Sequence, residues 1–90
     1  MAQVIASPKE MRVFARYLEE LADLVRQRKS RLNDRLNTLH QTWRDEKYRK
    51  FENELESTSL ELDYFVKATR SYARYLDTKA AKLDRYLQRR

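Results

Sequence analysis

The sequence predicts an all-α fold: an antiparallel two-helix hairpin that dimerises into a four-helix bundle with coiled-coil-like packing. Three observations carry this expectation. The 90 residues include no Gly and a single Pro, Pro8, so tight hairpin turns and Gly-rich phosphate loops have nothing to build them. Apolar residues recur in helical steps of three and four along two long segments, one on each side of Trp43-Arg44-Asp45. Hydrophobic residues are 41% of the chain and charged residues 38%, the mixture of a helix with one wide apolar face and one solvated face. Residues 1–90 are read as one domain, with helix 1 over about 8–41, a bend over 42–45 and helix 2 over about 46–88. Two helices cannot surround a core of their own, so the apolar face calls for a partner surface.

Ser7-Pro8-Lys9-Glu10 has a capping-box arrangement, with Ser7 placed to cap the first free amides and Pro8 at a position where no donor is missed. The stripe that follows is Met11, Phe14, Leu18, Leu21, Val25, Leu32 and Leu39, with Leu36 beside it and Arg28 interrupting it. Tyr17 and Leu24 widen the face, and a stripe with flanks contacts two neighbours, as in a four-helix bundle. At the bend, Thr42 and Asp45 are short polar side chains suited to accept from the free amides at the start of helix 2. Trp43 is the single Trp. It serves as a plug for the hairpin end, and with Arg44 beside it as an exposed anchor of the kind interfaces favour.

Helix 2 carries a stricter pattern. Tyr48, Phe51, Leu55, Thr58, Leu62, Phe65, Thr69, Tyr72, Leu76, Lys79, Leu83 and Tyr86 follow alternating steps of three and four, a heptad seam for nearly parallel or antiparallel packing. Val66, Ala73, Ala80 and Leu87 broaden it, and Thr58, Thr69 and Lys79 are polar seam positions that fix register or partner choice. Leu55, Leu62, Phe65, Tyr72, Leu76 and Leu83 thus join the helix 1 stripe as the hairpin and dimer core. Tyr64 and Tyr75, with Leu60 and Ala68, lie off the seam as a second interface.

Leu39, Trp43 and Phe51 stand as L-x3-W-x7-F at the bend of a hairpin of this length, and here the chain resembles the ESAT-6/WXG100 family. That family has Trp-x-Gly at the bend, whereas Asp45 occupies the Gly position here. The chain is more similar to a Gram-negative subgroup of small ESAT-6-like proteins with Trp-Arg-Asp. The resemblance implies a hairpin that dimerises into a four-helix bundle and a protein handled by a specialised secretion machine without a cleaved signal. Members of the family carry Tyr-x-x-x-Asp/Glu after the second helix; here Tyr72, Tyr75 and Tyr86 are followed at that distance by Leu76, Lys79 and Arg90.

The net charge is +6, which brings anionic partners into consideration. A bend centred on Trp43 sets Arg26, Arg28, Lys29, Arg31 and Arg35 against Glu52, Glu54, Glu56 and Glu61, and Glu10, Glu19, Glu20 and Asp23 near Lys67, Arg70 and Arg74. Pairing between the helices then absorbs most of the charge, which disfavours nucleic acid. Only Lys79, Lys82, Arg85, Arg89 and Arg90, against Asp84, remain as a cationic end suited to an anionic partner.

No Cys and one His, His40, exclude thiolate metal sites and the usual nucleophile and base pairs. Glu52, Glu54 and Glu56 point around the helix instead of converging. The expectation is a protein that is not an enzyme and binds no cofactor or metal. The stretch from Met1 to Ser7 has neither a positive leader nor a long apolar run, and nothing approaches the roughly 20 apolar residues that span a bilayer. A cytoplasmic protein follows, exported if at all without a cleaved signal peptide. Its preferred function is a homodimeric protein-interaction module, secretion-associated or adaptor-like, with Trp43, Arg44, Asp45 and Phe51 as the recognition end. Its partner is a second copy, with a sister hairpin or a secretion component as the other candidates. The alternatives are a nucleic-acid-associated protein using the cationic end and a structural coiled-coil spacer.

Overall fold

Ser7 opens the first helix: its Oγ accepts from the Glu10 amide at 3.2 Å, and Pro8 occupies the first helical turn, where its missing N–H costs nothing. In the computed structural model, which describes residues 6–88, α1 runs Pro8–His40 and α2 runs Glu46–Gln88. At about 1.5 Å per residue the 43 residues of α2 account for the longest dimension of the molecule, 68 Å. The shortest is 16 Å, so the hairpin is a single layer of two helices. Its interior is a line of contact between them and nothing more.

The most deeply buried points of that line are small residues. On α1 it follows Met11, Ala15, Leu18, Ala22, Val25, Lys29, Leu32 and Leu36; on α2 it follows Glu52, Leu55, Ser59, Leu62, Val66, Thr69, Ala73, Leu76, Ala80 and Leu83. All are buried or half-buried, and the fully buried members are Ala15, Ala22, Thr69, Ala73 and Ala80. Both lines step by three and four, the heptad seam of an antiparallel coiled coil. Alanine lets the two backbones approach closely, so neighbouring large side chains do not fit between them and are turned to the flanks. The α2 stripe read from the sequence therefore divides. Leu55, Leu62, Thr69, Leu76 and Leu83 face α1, whereas Phe51, Thr58, Phe65, Tyr72, Lys79 and Tyr86 lie on an exposed flank.

The register differs from the one a bend centred on Trp43 predicts. Arg12 pairs with Asp84, Lys29 with Asp63, and Arg70 with both Glu19 (3.2 Å) and Asp23 (2.8 Å). Of the expected oppositions, Arg70 with Glu19 and Asp23 forms. Among the described residues Arg26, Arg28, Arg31 and Arg35 enter no ion pair, and Lys29 meets Asp63 in place of Glu56. The helices are displaced by about one heptad from the expected register. The cause lies in the connector, 41–45, which carries the chain past the end of α1 before α2 turns back, so the first turns of α2 overhang His40.

A candidate protein-interaction surface

The bend is closed by side chains of its own. The amides of Thr42 and Trp43 both donate to the Leu39 carbonyl, at 3.1 and 3.0 Å, and Arg44 Nε donates to the His40 carbonyl at 3.1 Å, so the last carbonyls of α1 are satisfied. Thr42 does not cap α2 as the sequence suggested; its Oγ1 donates backwards to the Leu39 carbonyl. Asp45 does cap α2, with Oδ1 accepting from the Tyr48 amide at 3.0 Å. No described residue has positive φ. This explains how Asp stands where the WXG100 pattern has Gly: the turn needs a capping carboxylate and makes no use of a left-handed backbone.

Among the described residues Tyr48 is the one large side chain that is fully buried. Its ring stacks on His40 with centroids 4.5 Å apart and meets Trp43 edge-on at 5.3 Å; Trp43 in turn lies 5.8 Å from Phe51. The Tyr48 hydroxyl donates to Glu52 Oε2 at 3.0 Å. Burial, and then the Glu52 carboxylate accepting its proton, push the Tyr48 phenol above its usual value near 10. The His40 Nδ1 is 3.3 Å from the Trp43 carbonyl oxygen. Trp43 is half-buried in this cluster, Phe51 is exposed beside it, and Arg44 and Asp45, although exposed, are engaged as caps. Tyr48 belongs to the α2 seam pattern of the sequence and not to the expected recognition residues, yet it organises this end; its spacing to Trp43 and Glu52 is the signal in the sequence.

Along the rod the two lateral sides differ. On one side lie all four interhelical ion contacts, Arg12–Asp84, Lys29–Asp63, Arg70–Glu19 and Arg70–Asp23. An open groove of about 350 Å³ on that side is lined by Lys29, Leu36, Leu55, Ser59 and Asp63 among others, with the Lys29 ammonium already held by Asp63. In an antiparallel heptad pair the positions flanking the seam on the other side of each helix also meet. These are Phe14, Leu21, Arg28 and Arg35 on α1 and Phe51, Thr58, Phe65, Tyr72, Lys79 and Tyr86 on α2, with Tyr17, Leu24 and Tyr75 further out. Phe14 is 53% exposed, Tyr17 55%, Tyr72 65%, Tyr75 61% and Tyr86 64%.

Of the expected core residues, Met11, Leu18, Leu21, Val25, Leu32, Leu36, Leu55, Leu62, Leu76 and Leu83 are half-buried, and Phe14, Leu39, Phe65 and Tyr72 are exposed in the single hairpin. Ala15 and Ala22, outside the expected α1 stripe, are buried. Of the cationic end, Lys79, Lys82 and Arg85 are exposed, and the acid set against them, Asp84, is taken by Arg12. Arg89 and Arg90 lie outside the described residues, as does the stretch Met1–Ile5. Among the described residues no three Asp, Glu or His side chains are grouped to hold a metal ion, and no helix is long and apolar enough to cross a membrane.

At the level of sequence the chain matches no family model and no curated protein. Its fold matches crystal structures of the secreted protein EsxB from Bacillus anthracis strain Sterne. The wild-type form superposes with a TM-score of 0.84 at 20% identity, over 94% of this chain and 99% of that one. A selenomethionine-labelled form gives 0.82 at 20% identity over 96% and 98%, and a point mutant 0.80 at 20% identity over 93% and 97%. The helical-hairpin fold implied by the ESAT-6/WXG100 resemblance is thus the fold of this chain.

Proposed function

We propose that this hairpin is a secretion-associated protein-interaction module whose aromatic side is covered by a second copy of the chain, giving a four-helix bundle. The observation that carries the reading is the division of the rod into two sides. Ion pairs occupy one side, where Leu60 also stands exposed in the groove, while Phe14, Tyr17, Leu24, Phe51, Phe65, Tyr72, Tyr75 and Tyr86 stand exposed on the other. With about 200 Å² for a fully exposed aromatic side chain, these residues present roughly 800–900 Å². A standard protein interface buries about 800 Å² per partner. An apolar surface of that extent on a monomer marks an interaction site.

The association with secretion rests on the shared fold with EsxB, a protein described as secreted. The bend supplies the end that a further partner would grip, through the uncovered part of Trp43 and through Phe51. Arg44 and Asp45 hold that end in shape by capping the two helices. A module of this kind acts by presenting surfaces, and needs no reacting group.

Light scattering tests the second copy: the expected particle has twice the 11.0 kDa chain mass, and a particle of one chain mass would refute the pairing. The secretion reading is tested in the source cell by comparing the protein in the culture medium with a cytosolic marker. Wild type should accumulate outside without release of the marker, and Trp43→Ala should be retained. Wild-type protein confined to the cells would sink that half of the reading.

A further inference from the structure

We infer that the side of the rod carrying the ion pairs is a docking groove for a helix of another protein, one bearing an apolar residue and an acidic residue seven positions apart. This extends the interaction-module reading above and rests on it at one point, that the aromatic side belongs to the second copy. The groove begins in a defect of the seam. Ser59 is too short to reach across, and the Lys29 side chain is drawn aside to Asp63. Leu36 and Leu55 therefore stay half-buried on the floor of an opening of about 350 Å³. Leu60 forms its outer wall and is 69% exposed; Tyr64, one turn further along α2, is 75% exposed. Among the described residues these are the most exposed of the large hydrophobic side chains, and neither stands on the aromatic side.

Directly beyond the groove, towards the open end of the hairpin, lies a cationic hollow. Asp63 lines both, and the hollow, about 310 Å³, is completed by Arg26, Val66, Lys67 and Arg70. All its charges but two are engaged: Asp63 holds Lys29, and Arg70 is held by Glu19 and Asp23. Arg26 and Lys67, one from each helix, enter no ion pair among the described residues, yet they line one hollow with like charge. A carboxylate between them offsets that repulsion. Asn33 on the groove and Arg26 on the hollow are seven residues apart on α1, about 10 Å at the helical rise. A helix lying in the groove returns the same face at that interval. An apolar side chain over Leu36, Leu55 and Leu60 thus brings a carboxylate seven positions away over Arg26 and Lys67. A nucleic acid strand fits less well, since it would carry its phosphates past Glu56 and over an apolar floor.

The probe is a pair of synthetic helical peptides built on Ala and Gln. Each carries two leucines one turn apart and two glutamates one turn apart, the pairs seven positions from each other, in one order or the reverse to allow both directions along the groove. Fluorescence anisotropy with the intact protein should show saturable binding of one order. Replacing the peptide's glutamates by Gln, Leu60→Glu, and Arg26→Glu combined with Lys67→Glu should each weaken it about tenfold or more. All three substituted side chains are exposed, so the variants should keep the helix content and particle mass of the unaltered chain. Failure of both orders to bind, or binding untouched by Leu60→Glu, overturns the groove. A Leu60→Glu variant of reduced mass shows a second copy in the groove and overturns the assigned occupant. So does a single-stranded DNA oligonucleotide that binds as tightly as the peptide and depends on Arg26 and Lys67 but not on Leu60. Light scattering keeps the two readings apart: a chain of single mass that binds the peptide defeats the pairing alone, and a dimer that does not bind it defeats the groove alone.

Discussion

The open half and the bend half of this hairpin are held together in opposite ways. In the open half the buried seam residues are Ala15 and Ala22 on α1 and Thr69, Ala73 and Ala80 on α2, none larger than Thr. In the bend half no Ala sits on the seam, Lys29, Glu52 and Ser59 occupy positions equivalent to those alanines, and the contact depends on one buried ring, Tyr48, with His40 and Trp43 against it. The lesson is that side-chain size and burial part company in a two-helix layer. Where the seam is small, the large residues are displaced outward and stand exposed on the flank.

Breaking the aromatic plug should have the largest effect. Tyr48→Ala removes a fully buried ring, the stack on His40 and the hydrogen bond to Glu52, and a large buried aromatic truncated to Ala costs about 3–5 kcal/mol. Urea unfolding at fixed chain concentration would measure it, the fixed concentration being needed if folding and pairing are linked. A loss below about 1 kcal/mol would mean the cluster covers the end of the helices without holding them. The matching change in the open half is an enlargement. Ala22→Leu should destabilise by about 1–3 kcal/mol, because extra methylenes force apart helices that are in close contact. A stabilised Ala22→Leu variant would show room in that seam and erase the contrast between the halves.

This contrast also explains what the sequence could and could not disclose. The two helices were legible from spacing alone, since steps of three and four persist through both segments and Ser7-Pro8 announces the first start. The hairpin register was less so. It depends on how far 41–45 travels before α2 turns back, and no local pattern encodes that distance. The choice of seam was ambiguous on α2, where Phe65 and Val66, or Tyr72 and Ala73, are adjacent and both apolar. Ranking by size favours Phe65 and Tyr72, whereas close helix packing selects Val66 and Ala73 for the interior. Of the candidate bend residues, Arg44 and Asp45 read as a recognition signal, yet their visible work is capping, which a residue type permits but only the local backbone assigns.

A smaller effect sharpens the bend half further. Asp45→Ala removes the acceptor for the Tyr48 amide at the start of α2 and should cost about 1 kcal/mol. Asp45→Gly should cost only about a few tenths of a kcal/mol. If Asp45→Gly proved as damaging as Asp45→Ala, the carboxylate would be doing more than capping, and a role for it in partner recognition would gain support.

The smallest effect is confined to alkaline solution. The folded state raises the Tyr48 phenol above its usual value near 10, through burial and through its hydrogen bond to Glu52. Once the pH passes 10, the unfolded chain releases this proton more readily than the folded one. The contribution is therefore complete below pH 10 and is lost as the pH rises through the folded value. Tyr48→Phe keeps the ring stacked on His40 and removes the ionising group, so its stability should fall less between pH 9 and 11 than that of the wild type, followed by thermal unfolding. Parallel pH profiles for the two proteins would show that the phenol keeps contact with water despite its burial. The bend half would then be held by ring packing alone, and the contrast with the alanine seam would become one of side-chain size and nothing else.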